Sequence, residues 1–398
     1  IMLNQPARAR STLQAALAAR PDDAQALSLL SQIEFKQGDV NAGILSLKKA
    51  IKFSPDDTEL HKQLTIAYIA AGETELAVNA IKTFEALSED TETSQKFTIQ
   101  AYLQTGEVDK AINIANKMLK QKPRDPDILS LNGSLYATSK NYQQARIHFN
   151  QALQLQADLP SASIGLARLE RQDGNLGKAI ALYTSLAESG QGGAAPMLAL
   201  AELAEHQGRT NDMLSWLEKA RNTSPAETKS RSILANYYLQ TNQPKKADVY
   251  IKEAIKVSPD QAELLTLHGK ILIALKRYQE ALLPLKKLVN QSSDSTDARV
   301  LLGEAYLRQG MMKNADEHLK TALEIQANNV PALSLMAETK LKEGSYDKSL
   351  SYAKQLQKVQ PQRYIGYLRE GDVWLLKKDY NRAHSAYILA WKHKQTAD

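Results

Sequence analysis

A 34-residue period runs through almost the whole chain. The string Gly-x-x-x-x-Ala occurs at Gly72–Ala77, Gly106–Ala111, Gly174–Ala179 and Gly310–Ala315. A frame opened at Ala24 and stepped by 34 starts at residues 24, 58, 92, 126, 160, 194, 228, 262, 296, 330 and 364, and closes at Ala397 without an insertion or deletion. A chain of 398 residues would otherwise suggest two or three domains. A fixed period of this size implies a stacked array, in which each unit buries its apolar face on its neighbours.

Reading down the frame, with its positions numbered as columns 1 to 34, gives each column a physical reason. Column 8 is small at Ser31, Gly133, Ala167, Ala201, Ala235, Gly269, Gly303, Ala337 and Gly371. Column 20 is Ala in most repeats, with Gly43, Met213 and Ser349 as departures. Small residues at both columns let two helices approach closely. Column 11 is often aromatic (Tyr68, Tyr102, Tyr136, Tyr238, Tyr306, Trp374), and column 24 supplies a larger residue such as Ile81, Phe149 or Tyr387. Column 15 is Gly at Gly38, Gly72, Gly106, Gly174, Gly208, Gly310 and Gly344. Glycine there can take the left-handed conformation that ends a helix. Pro55, Pro123, Pro225, Pro259 and Pro361 at column 32 stop the second helix of a pair. Apolar residues before column 15 fall at helical spacing, as in Leu27, Leu30 and Ile33.

Helix–turn–helix units of 34 residues resemble the tetratricopeptide repeat. The resemblance covers residues 24 to 397 and departs from the family pattern where Trp is missing at column 4. It implies an all-α fold, a right-handed solenoid superhelix of eleven repeats, with residues 1–23 holding the second helix of an incomplete leading repeat. Two local irregularities are expected. Pro284 lies inside a second helix and should kink it. Gly190-Gln-Gly-Gly193 lies in an inter-repeat turn and should be the most flexible stretch; without a preceding strand or a following Lys it does not read as a phosphate loop. The chain is expected to be part of a longer one, since the last helix carries Tyr387, Ile388, Leu389 and Trp391 with no polar cap after it.

Residues that carry catalysis are not assembled by the sequence. Cysteine is absent, which removes disulfides, thiolate metal sites and Cys nucleophiles. The seven His residues form no HxxxH or HExxH pair, so neither metal nor other cofactor is expected. His268 falls on a packing column and reads as a core residue. No Gly-x-Ser-x-Gly elbow or Walker-type run is present. A net charge of +6, spread over the chain, does not form the concentrated basic stripe of a nucleic-acid footprint. The chain is therefore expected to be non-catalytic, with no nucleic-acid partner.

The resemblance also implies where partners bind. In tetratricopeptide arrays the first helices line a concave groove, which columns 2, 5, 9, 12 and 13 should face. The early groove leans basic, with Lys62, Lys96, Arg168 and Arg171. Asn236 and Lys270 follow at column 9, then an acidic row of Glu304, Glu338 and Asp372 flanked by Arg308, Lys342 and Lys377. Charges along such a wall can select an extended peptide by complementarity. The carboxylate clamp of chaperone-binding members needs a column-5 Lys and a column-9 Asn in one repeat. Here Lys62 and Lys96 meet Ile66 and Gln100, and Asn236 meets Ser232.

Three stretches narrow the likeness. They are Met197–Arg209 with Trp216–Arg221, Leu301–Gly310, and Gly366–Val373 with Tyr380–Tyr387. They resemble the tetratricopeptide lipoprotein of the PEP-CTERM protein-sorting system, a family associated with bacterial exopolysaccharide gene clusters. The resemblance implies a periplasmic interaction scaffold for exopolysaccharide assembly or export, or for protein sorting. It also implies a lipid anchor at an N-terminal Cys that this sequence does not contain. A cytoplasmic adaptor or regulator, binding a partner peptide in the same groove, is the other expectation.

Overall fold

The computed structural model describes residues 6–395. Among the described residues there are twenty-three helices and no strand. One helix, Pro6–Ala19, precedes eleven helix pairs. The first helices of repeats 1 to 11 are Ala24–Lys36, Thr58–Ala71, Glu92–Gln104, Pro126–Thr138, Pro160–Gln172, Ala195–His206, Lys229–Gln240, Ala262–Ala274, Thr296–Arg308, Val330–Lys342 and Tyr364–Leu376. The second helices are Val40–Phe53, Thr74–Leu87, Val108–Gln121, Tyr142–Leu155, Leu176–Glu188, Thr210–Thr223, Pro244–Val257, Tyr278–Gln291, Met312–Ile325, Tyr346–Val359 and Tyr380–Gln395. Every second helix opens at column 17. First helices open at column 1, except in repeats 6 and 7, where they open one residue later, within the usual fraying of a helix end.

Local chemistry accounts for these boundaries. Asp23, Asp57, Thr91, Asp125, Ser295 and Asn329 stand at column 34, and each side chain accepts a hydrogen bond from a backbone N–H of the first turn that follows. At the other end, column 15 is left-handed in all eleven repeats. Seven are the glycines; the other four are Lys140, Asn242, Lys276 and Lys378, with φ of 62°, 56°, 59° and 58°. The reason is the cap that follows. In every repeat the column-16 N–H donates to the column-11 carbonyl, as in Gln243 to Tyr238 at 2.7 Å and Asp379 to Trp374 at 2.9 Å. That bond closes only when the residue before it turns left-handed.

Packing within a pair follows from the small columns. Columns 8 and 20 are buried in all eleven repeats. In several repeats the size of column 8 is matched inversely by column 24. Gly133 faces Phe149, Gly303 faces Leu319 and Gly371 faces Tyr387; a Cβ on these glycines would meet the facing side chain at 2.6, 2.7 and 2.5 Å. Where column 8 is the larger Ile99, column 24 shrinks to Ala115, and both are buried. Phe149 is also met from the next repeat by Gly165, so its ring is held between two glycines and is fully buried.

Packing between repeats uses the second helix of one pair against the first helix of the next. Among the described residues, three such contacts are ionic. Arg10 meets Glu34 at 3.5 Å, Arg146 meets Glu170, and Asp316 meets Lys340. In the frame each joins column 21 to column 11 of the next repeat. Elsewhere those columns hold pairs such as Ile44 and Tyr68, or Leu282 and Tyr306. Column 4, where the family's Trp is missing, ties back to the turn instead: His61, Arg299 and Tyr367 donate to the carbonyls of Pro55, Ser293 and Pro361 at 2.7, 2.8 and 3.1 Å.

The chain divides between Gly192 and Gly193 into two compact units, the first holding repeats 1–5 and the second repeats 6–11. Gly190, Gly192 and Gly193, in the turn where the division falls, all have positive φ. Within each unit first helices also approach their neighbouring first helices, while the backbones of neighbouring second helices stand further apart, bridged in repeats 6 and 7 by long side chains such as Arg221 to Glu253 at 2.8 Å. The second helices therefore splay and the first-helix face is the inner one. Each unit is an α-helical repeat solenoid. The helix Tyr278–Gln291 runs unbroken through the buried Pro284, which leaves the Glu280 carbonyl without its usual donor. Among the described residues, no helix is long and apolar enough to cross a membrane.

Candidate functional site

The inner face of each unit is built by columns 2, 5, 9 and 13, which share one side of the first helix at spacings of three, four and four residues. Column 9 marks its midline. It is exposed at Gln32, Ile66, Gln100, Ser134 and Arg168 in the first unit, and at Glu202, Asn236 and Lys270 in the second. In repeats 9 to 11 it is covered, half-buried at Glu304 and Asp372 and 9% exposed at Glu338.

What covers it is a network of side chains. Glu338 lies among three cations: Arg308 at 2.5 Å, Lys342 at 3.1 Å and Arg369 at 3.2 Å. Arg308 also reaches Glu304 at 3.7 Å, and Arg369 reaches Asp372 at 3.4 Å. The Tyr387 hydroxyl donates to Asp372 at 3.0 Å, and Arg369 donates to the Ser334 hydroxyl at 3.4 Å. Burial alone would push the Glu338 carboxyl up, but the hydrogen bond from Lys342 and the charges of Arg308 and Arg369 hold it below the ordinary glutamate value. Glu304 has only Arg308 to oppose its burial, and its pKa is raised. The sequence suggests an acidic row flanked by Arg308, Lys342 and Lys377 here. In the fold the three carboxylates are matched by three cations of the protein itself. Lys377, expected beside them, pairs with Asp347 at 2.9 Å instead. Arg369 was not among the groove columns. Its signal was an Arg at column 6, which holds Leu, Ile, Phe, Gln, Gly or Ala in the other repeats.

The first unit keeps its charges differently. Lys62 meets Glu59 of its own helix at 3.5 Å and stands 5.7 Å from the centre of the Phe97 ring in the next repeat. Lys96 meets Glu92 at 2.7 Å, and Lys122 shares that carboxylate at 2.7 Å. The hydrogen bonds from Lys122 and Lys96 hold Glu92 down at about 2. Arg168 is exposed and makes no ion pair among the described residues, and the same holds for Lys36 at column 13, which sequence reasoning passed over. Arg171 is half-buried beside it on the same helix. In the second unit Asn236 and Lys270 are exposed. The Ser232 hydroxyl, one turn before Asn236, turns back to the Lys229 carbonyl at 2.9 Å. Lys62 and Asn236 lie in different units, and no repeat pairs a column-5 Lys with a column-9 Asn.

Among the described residues, no group of three or more His, Asp or Glu is placed to hold a metal ion. His268, on its packing column, has a lowered pKa, chiefly through burial.

Comparison with known proteins gives these arrays a context. A family model described as tetratricopeptide repeat matches residues 3–58, 98–160 and 130–196. Another of the same description matches 296–329, the bounds of repeat 9 in the frame. A model described as anaphase-promoting complex, cyclosome, subunit 3 matches 206–288. No curated protein matches the chain. Among solved structures, PilW, described as a widely conserved type IV pilus biogenesis factor, is 20% identical with a TM-score of 0.44, covering 48% of this chain and 90% of its own. PilF of Pseudomonas aeruginosa is 20% identical with a TM-score of 0.41, covering 52% and 98%. YrrB, described as a TPR protein with an unusual peptide-binding site, is 18% identical with a TM-score of 0.36, covering 45% and 92%. The chain thus contains tetratricopeptide repeats where those models match, and the same 34-residue helix pair recurs through all eleven units of the frame.

Proposed function

We propose that the chain is a non-catalytic scaffold that binds a segment of a partner protein along the inner, first-helix face. Tetratricopeptide proteins generally mediate protein–protein interaction. The observation that carries the reading is column 9: eight successive repeats leave it exposed, so that one row of varied side chains runs along each inner face. A row of this kind reads an extended chain residue by residue. The test is selection of binding peptides from a random library, followed by hydrogen-exchange mapping of the complex. Protection along the first helices supports the reading; protection confined to the second helices overturns it.

The setting we propose is the periplasm, with a role in exopolysaccharide assembly or export, or in PEP-CTERM protein sorting. It rests on the resemblance of Met197–Arg209, Leu301–Gly310 and Gly366–Val373 to that lipoprotein family. Fractionation of the source cells tests it. Recovery of the protein with the periplasm or the membranes is the expected result, and recovery in the cytoplasm favours a cytoplasmic adaptor.

A further inference from the structure

We infer that the segment recognised by the first unit is acidic, and that it seats an apolar side chain on Ile66 beside carboxylates held by Lys62 and Lys96. This rests on the inner-face reading above and specifies its ligand. The positive charges of the two units differ in how firmly they are held. In repeats 9 to 11 the cations of the inner face, Arg308, Lys342 and Arg369, are spent on Glu304, Glu338 and Asp372. A ligand carboxylate there would have to displace a largely buried one. On the first unit Arg168 and Lys36 have no ion-pair partner among the described residues. Lys62 and Lys96 hold only exposed acids of their own helices, one turn away. Such exposed pairs are worth little and exchange readily.

The second observation is Ile66. It is 50% exposed on the midline of the inner face, and column 9 carries no other apolar residue in any repeat. Ile66 follows Lys62 by one helical turn, and Lys96 occupies the column of Lys62 on the neighbouring first helix. Packed helices lie about 8–10 Å apart, which an extended chain spans in roughly three residues. The site therefore offers two ammonium groups level with each other on neighbouring helices, with an aliphatic surface one turn further along the first of them. That arrangement suits an acidic segment containing Leu, Ile or Val, and rejects a basic one.

Three labelled peptides test this by fluorescence anisotropy on the full chain: an extended Glu/Leu peptide, the same sequence with Lys for Glu, and one with Ser for Leu. The Glu/Leu peptide is expected to bind, and both alternatives at least tenfold more weakly. Lys62→Glu with Lys96→Glu should weaken binding about tenfold or more, and Ile66→Asp should do the same. Lys270→Glu, on the second unit, should leave it unchanged. Circular dichroism melts of each variant confirm that the fold is intact. No binding of the Glu/Leu peptide, equal binding of the Lys/Leu peptide, or loss caused by Lys270→Glu alone overturns the inference. In those cases first-helix protection by library-selected peptides would leave the broader reading standing.

Discussion

At the scale of single residues, column 15 is where side chain and backbone disagree most. Lys140, Lys276 and Lys378 hold a left-handed conformation that costs an L-residue roughly 1–2 kcal/mol. Glycine removes that cost but loses about 0.5–1 kcal/mol through the freedom of the unfolded chain. Lys→Gly at the three sites together should therefore raise the melting temperature by a net gain of about 0.5 kcal/mol per site. Asn242→Gly should be near neutral, because Asn tolerates this region. Equal or lower melting of the triple variant would show that these lysines are not strained. A pH effect belongs to the same scale. His148 and His318 stack on Tyr136 and Tyr306 at 5.3 and 5.6 Å, each with Nδ1 buried and without a hydrogen bond. Burial holds both below the ordinary His value of 6.5. As pH falls through 6.5 the unfolded chain takes up these protons before the folded one, so their effect is absent above neutrality and destabilises in acid. His148→Phe with His318→Phe should shrink the drop in melting temperature between pH 7 and pH 5; an unchanged drop would assign it to carboxylates.

Two kinds of complementarity operate at the scale of helices, one steric and one ionic. Gly303→Leu puts four carbons where Leu319 already lies, and should cost roughly 1–3 kcal/mol in thermal unfolding. Adding Leu319→Ala should recover most of it, because Ile99 and Ala115 already form a pair of that inverted sense. Failure of the second substitution to rescue would mean that column 24 is not what limits column 8. For the ionic contacts, burial would raise the Glu170 carboxyl, yet hydrogen bonds from Asn175 and Arg146 and the charge of Arg146 hold it below the usual range. Arg146→Glu should destabilise by about 1–3 kcal/mol, and Glu170→Arg added to it should restore part of the loss; a double-mutant cycle with no coupling would refute the contact. The steric rule was half legible in the sequence, since small columns 8 and 20 stand out when the repeats are aligned. Its inverse match to column 24 needed facing side chains to be seen together. The ionic contacts were invisible because each joins residues 24 apart in different repeats, without any periodic mark.

Across the whole molecule, the period alone gave the helix pairs and their turns. It did not give the fate of the charges on the inner face. Glu304, Glu338 and Asp372 read as an acidic row with cations only at its flanks; Arg369 lies on a column that holds no other charge, and so it was overlooked. Charge state in a solenoid is set between repeats, by which neighbouring helix supplies the partner, and a single column cannot report that. The break between Gly192 and Gly193 is also a matter of contacts rather than period, since the frame passes through it unshifted. Each unit carries its own buried contacts between repeats, and stability in such arrays sums over repeats and their nearest neighbours. Residues 193–398 expressed alone should therefore be helical and melt cooperatively. A non-cooperative melt of that fragment would show that it depends on the first unit.

An unshifted frame makes the chain editable in whole multiples of its period, and the ionic contacts decide where such edits are tolerated. Excising residues 330–363 would join repeat 9 to repeat 11 with every cap and turn in register. Asp316 would then face Trp374 in place of Lys340, and a carboxylate would be left at a joint with no cation to meet it. Joints of Ile or Leu against Tyr have no such memory of their neighbour. Gain and loss of repeats should accordingly be freest at the apolar joints, and the charged ones should fix which repeats stay adjacent.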